Sequence, residues 1–345
     1  MKRIIAILLV LMLIPFTGIA EDVISEIIAP SVDFYDYVVE TDGGSYSFTD
    51  DGALELGSGA FIVYNRPDLA LATKTIIIKE NNTVTLNGIT TTVNSGPAIY
   101  IEPTVSTTFT LNNTNTVVGA SGYAAIEVGH TSTEQYASLI INGNGTLDAT
   151  GGANSAGIGG SKSRGGLYGN ITINSGNITA RGMGGGSGLG SSDNPNNGKS
   201  NGSYKHTEEN WGTITINGGT IYAYGGTTGN GGSGIGGGNH VDSGLIVIND
   251  GIINAYGGVG GAGIGCSMGS SKNKGSLGDK GPGYYYAIVQ INGGTIHAEA
   301  GSYNGVGIGG GMYADGIVTI SGGTITAIGS AGNGSWHHGG AGIGI

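Results

Sequence analysis

Cysteine is nearly missing from this chain. Cys266 is the single thiol, so no internal disulfide can form and the fold must hold without covalent cross-links. A lone thiol of this kind reads as buried or incidental, not reactive. Charge is scarce too, at 11% of residues, and the balance is acidic, with a formal net charge of −11. Lys and Arg are dispersed, which excludes the basic footprint of a nucleic-acid binder. Only 7 prolines accompany 73 glycines, and Gly does not recur at every third position, so collagen is excluded. Low charge with Ile, Val and Thr throughout excludes simple disorder. Patterns of 3.6-residue period are nearly absent after residue 80, which excludes a helical solenoid. A β-sandwich would need antiparallel hairpins and leaves recurring Ile columns unexplained.

The amino terminus carries one targeting signal. Lys2 and Arg3 precede an apolar run over residues 4–16, followed by Gly18-Ile19-Ala20. This is the basic, apolar and small-x-small order of a secretory signal peptide. The run falls short of the ~20 residues of a bilayer span. Residues 1–20 are therefore expected to be removed, which takes the formal charge to −13. No later segment is apolar enough to span a membrane. Residues 21–65 hold ten acids and no Lys or Arg, which suits an exposed, solvating surface.

What the chain has instead is a repeat. Its strongest copy reads Thr213-Ile214-Thr215-Ile216-Asn217-Gly218-Gly219-Thr220-Ile221-Tyr222-Ala223-Tyr224, then Gly234-Ile235-Gly236-Gly237. Six good copies place a polar residue after the first strand at Asn142, Asn174, Asn217, Asn249, Asn292 and Ser321. Weaker copies end at Asn87 and Asn112. Each good copy contains three short strands. The first alternates Thr out and Ile in, with a period of two. Its second inward position holds Ile141, Ile173, Ile216, Ile248, Ile291 and Ile320. The second strand points Leu147, Ile178, Ile221, Ile253, Ile296 and Ile325 inward, then Ala149, Ala180, Ala223, Ala255, Ala298 and Ala327. The third contributes Ile158, Leu189, Ile235, Ile264, Ile308 and Ile343.

One coil of three strands cannot bury its own Ile face, but stacked coils bury all of them in one core. The expected fold is all-β: a right-handed, single-stranded parallel β-helix of about eight turns, roughly 40 Å long at ~4.8 Å per strand. Residues 21–80 are expected to form an N-terminal cap and first turns, and 81–345 the Gly-rich helix. The Asn residues are read as a structural ladder, each bonding to the next coil. The chain stops in mid-repeat, and the expectation is that it is a piece of a longer protein. Residues 191–212 and 266–287 are long connections leaving the same corner two coils apart.

Parallel β-helices also host polysaccharide lyases and hydrolases, whose chemistry needs acids on adjacent coils. One outward column of the second strand reads Asp148, Thr179, Tyr222, Asn254, His297 and Thr326. Its neighbour reads Thr150, Arg181, Tyr224, Tyr256, Glu299 and Ile328. No two adjacent coils both supply an acid there, so no catalytic residue is assigned. These columns instead predict a binding face of Tyr222, Tyr224 and Tyr256 flanked by Asn254, His297, Glu299 and Arg181. Trp211, Tyr204 and His206 from one long connection, and Tyr284 to Tyr286 from the other, are candidate walls. Aromatic rings with amide and charged neighbours suit sugars. The alternative is plain β-propensity of Tyr. No cofactor is implied. Gly157-Ile158-Gly159-Gly160 opens no helix and is not a phosphate loop. Adjacent His337 and His338 do not make a metal site. The outward column Ile140, Thr172, Thr215, Val247, Gln290 and Thr319 is too mixed for ice binding.

The pattern Ile-Thr-Ile-Asn-Gly-Gly-Thr-Ile-x-Ala-x-Gly-Gly resembles the Gly-rich repeats of large adhesin-like surface proteins of bacteria and archaea. Residues 213–238 and 289–311 match it best, and the resemblance covers residues 139–345. It implies a secreted or surface-displayed β-helix of pectate-lyase-like architecture with an adhesive, glycan-binding role. A carbohydrate-active enzyme and a structural spacer are the alternatives. Neither a calcium nonapeptide repeat nor a wall-sorting tail is present, so the mode of attachment is open.

Overall fold

Alternation of β-branched residues sets the local structure. In Thr213–Ile216 the two Thr side chains point outward and the two Ile side chains are buried. The same in-out pattern returns in Asn170–Ile173 and Gly244–Ile248. A computed structural model shows where these strands go. It describes residues 35–131, 135–194, 212–268, 286–311, 314–332 and 339–344. The signal segment, Tyr204, His206, Trp211, Tyr284, Tyr285, His337 and His338 lie outside the described residues. Asp36–Ile345 forms one compact unit.

Among the described residues, three sheets of ten, eight and eleven strands run the length of that unit, parallel apart from the first strand of the ten- and eleven-stranded sheets. We call them sheets 1, 2 and 3. Successive coils visit them in a fixed order. Ser138–Gly143 lies in sheet 1, Thr146–Thr150 in sheet 2 and Ile158–Gly159 in sheet 3. Each strand pairs in parallel with its counterparts one coil away. Ile173 sits beside Ile216, Ile216 beside Ile248, and Ile248 beside Ile291. Leu147, Ile178, Ile221, Ile253 and Ile296 line up likewise in sheet 2. Ile158, Leu189, Ile235, Ile264 and Ile308 do so in sheet 3. All of these are buried in one continuous core. Each fully buried Ile contributes roughly 1.5–3 kcal/mol relative to exposure. The chain is a parallel β-helix. No helix among the described residues is long and apolar enough to cross a membrane.

Sheet 3 explains much of the glycine. Its later strands are two residues long, an aliphatic residue followed by Gly159, Gly190, Gly236, Gly265 or Gly309. These glycines have φ between 120° and 137°. A Cβ on each would run into the backbone carbonyl of the matching glycine one coil on. Only glycine fits there.

The Asn ladder spans six coils. Each side-chain Nδ2 donates to the Oδ1 one coil earlier: Asn174 to Asn142 (2.9 Å), and Asn217 to Asn174, Asn249 to Asn217 and Asn292 to Asn249 (2.8 Å each). Ser321 Oγ closes it on Asn292 Oδ1 at 2.9 Å. Asn87 and Asn112 do not extend it. They stand side by side, but Asn142 is opposite Thr110. Asn87 instead accepts from Asn113, whose backbone is left-handed (φ 55°). The earlier strands, Asn82–Asn87 and Ser106–Asn112, run on past the point where the later ones turn.

Parallel stacking starts one coil before the expected eight, where Gly59–Asn65 pairs with Asn82–Asn87. Two antiparallel strands fold over that end. Tyr37–Thr41 pairs with Gly59–Asn65, and Tyr46–Phe48 pairs with Leu54–Leu56. Tyr37 enters the core, where its hydroxyl reaches Thr91 Oγ1 at 2.9 Å. At the last described coil the core columns are open. Ile320 is 41% exposed and Ile343 is 48% exposed.

Candidate ligand-binding face

Four adjacent strands of sheet 2 present the predicted residues: Asn177–Arg181, Thr220–Tyr224, Ile252–Tyr256 and Thr295–Glu299. Alternation buries Ile and Ala on one side and leaves the residues between them outside. The register joins Thr179, Tyr222, Asn254 and His297 in one column and Arg181, Tyr224, Tyr256 and Glu299 in the next. The structure therefore brings together Arg181, Tyr222, Tyr224, Asn254, Tyr256, His297 and Glu299.

Parallel strands ~4.8 Å apart place equivalent side chains at stacking distance. The Tyr224 and Tyr256 rings lie 5.1 Å apart and 9° from parallel. The Arg181 guanidinium sits 4.4 Å from the Tyr224 ring centre. The His297 ring is 5.6 Å from that of Tyr256, tilted by 52°, and His297 Nε2 is 3.4 Å from Glu299 Oε2. The result is one chain of contacts across four coils: guanidinium, ring, ring, imidazole, carboxylate. Burial, with smaller contributions from Tyr224 and Glu299, raises the Tyr256 pKa.

This geometry sorts the tyrosines. Tyr224 has one neighbour on each face of its ring, so it offers only its edge and hydroxyl. Tyr222 is 40% exposed and stacks on no other ring among the described residues. It is the open ring of the patch, with Asn254 beside it on the next strand.

A second cluster escaped the sequence reading. Glu127, in Ile126–Val128 of sheet 3, accepts from Ser161 Oγ at 2.6 Å and lies 3.4 Å from Arg164 Nε. Lys162 Nζ is 2.6 Å from Asp193 Oδ2, and Asn239 Nδ2 donates to Asp193 Oδ1 at 3.0 Å. Both acids are nearly closed off, with side chains 5% and 9% exposed. Burial raises the Glu127 pKa, opposed by the Ser161 hydrogen bond and Arg164. These are acids with cations on neighbouring coils, but each acid is already paired, and both tie coils together. One signal was visible in the sequence: Glu127 stands where the later repeats have Gly. Among the described residues, no three His, Cys, Asp or Glu side chains converge to hold a metal ion. A shallow groove also lies on sheet 1 near the capped end, between Glu40, Asp42, Ile62, Thr83 and Thr85.

The comparisons with known proteins agree with this architecture. The family model described as "Beta helix repeat" matches residues 139–162, 171–193, 214–239, 246–268 and 289–312. No curated protein and no solved structure matches the chain. The matched segments are the stacked coils that carry the Asn ladder and the tyrosine face, and this chain is a β-helix repeat protein.

Proposed function

We propose that this is an exported, surface-associated adhesive protein that binds glycans without chemistry through the outer face of sheet 2. The observation that carries this reading is Tyr222, an open ring fixed on a rigid sheet beside Asn254 and the Arg181–Tyr224–Tyr256–His297 stack. Sugars present apolar ring faces and hydroxyls, and aromatic rings with nearby amides and charges serve both. Rigid strands also lower the ordering cost of a weak ligand. The basic-apolar-small order of residues 1–20 supports export.

A glycan array probed with the full chain and with Tyr222→Ala tests this. The expected result is binding that falls at least tenfold in Tyr222→Ala. Tyr256→Ala should weaken it less, by loosening the stack. No glycan retained, or equal retention by Tyr222→Ala, would reject the reading.

A further inference from the structure

Arg164 stands in a setting that the tyrosine face does not share. It ends the short 3₁₀ turn Lys162–Arg164, which carries no buried side chain. Two ion pairs fix that turn: Lys162 to Asp193 at 2.6 Å, and Arg164 Nε to Glu127 at 3.4 Å. Glu127 is itself held by Ser161, whose Oγ also accepts the Ala124 N–H at 2.8 Å. The Arg164 guanidinium carbon lies over the Tyr100 ring, 4.0 Å from its centre, and 5.9 Å from that of Tyr123.

The side chain is thus oriented from behind and below, yet 42% of it is exposed. Nε faces the buried carboxylate, and the two Nη groups carry the guanidinium's other four N–H donors along a planar edge. Such an edge matches the two oxygens of a carboxylate or sulfate, and a pinned fork loses less freedom on binding than a free one. Tyr100 and Tyr123 beside it supply ring surface for the body that carries the anion.

We propose that Arg164, walled by Tyr100 and Tyr123, is a binding site for an oxyanion carried on a saccharide, either a uronate carboxylate or a sugar sulfate. Glu127 and Ser161 are its positioning residues. The site does not depend on the tyrosine face of sheet 2.

Titration calorimetry on the full chain tests this with three oligosaccharides of equal length: a uronate, a sulfated and a neutral one. One or both anionic oligomers should bind at least tenfold more tightly than the neutral one, and which of them does so identifies the oxyanion. Arg164→Lys keeps the charge but loses the fork, and should weaken anion binding at least tenfold. Tyr100→Leu removes the stacking surface and should weaken it about threefold. Circular dichroism melts check that the variants fold; if Arg164→Lys does not, Tyr100→Leu decides. The proposal is overturned if neither anionic oligomer binds, if the neutral one binds equally, or if folded Arg164→Lys binds like the parent.

Discussion

The early coils and the Gly-rich coils share one helix but treat the outside of sheet 3 in opposite ways. At one register position the early coils place Glu55, Ile77, Tyr100 and Glu127. From the next coil onward the same position is Gly159, Gly190, Gly236, Gly265 and Gly309. Where side chains stand there, they make a surface with its own chemistry, and Arg164 leans over it. Where glycine stands, backbone comes close enough to exclude a methyl group, and Ser191, Ser192, Asp193, Asn239 and Ser243 are buried in the segments that follow sheet 3. One repeat position thus separates coils that carry outward side chains on sheet 3 from coils whose backbones approach more closely than a methyl group allows.

The sharpest way to break that contrast is to put a Cβ into the glycine column. Gly190→Ala, at φ 131° and against the Gly236 carbonyl, is expected to cost about 3 kcal/mol or more in urea unfolding. A loss under about 1 kcal/mol would show that the close approach is not required.

Position along the stack should matter next. Ile216→Ala removes a buried side chain in mid-helix and should cost about 2–5 kcal/mol. Ile320→Ala occupies the same column but is 41% exposed, and should cost less than half as much. Equal losses would mean that the columns do not form one graded core.

A smaller effect separates the early coils by pH. Burial raises the folded-state pKa of Glu127 above its unfolded value. The folded chain therefore holds that proton longer. The stability this contributes is present at low pH and falls as pH rises from the ordinary carboxylate range through the raised value. Glu127→Gln should flatten that part of the stability-versus-pH curve, and an unchanged slope would exclude the link.

The stack was legible because identical aliphatic residues at fixed spacing have one economical explanation, a shared dry interior. The same spacing put Tyr222 with Asn254 and Tyr224 with Tyr256, since register follows from aligning the repeats. Asn87 and Asn112 end their strands in polar residues like the others, but in register those strands run two residues further, past the position of Asn142. Glu127 was passed over because it lies between two aliphatic residues in a copy too weak to align. Its partners Ser161 and Arg164 are more than thirty residues away in sequence.

By itself, then, the sequence determined the parallel β-helix, its buried columns and the membership of the outer columns of sheet 2, because hydrophobic burial with a period of two leaves little freedom once coils are stacked. Only tertiary structure decided which tyrosine face stays open, where the amide ladder stops and which charges meet. Those outcomes depend on distances of a few ångströms between side chains on different coils, and spacing along the chain does not encode them.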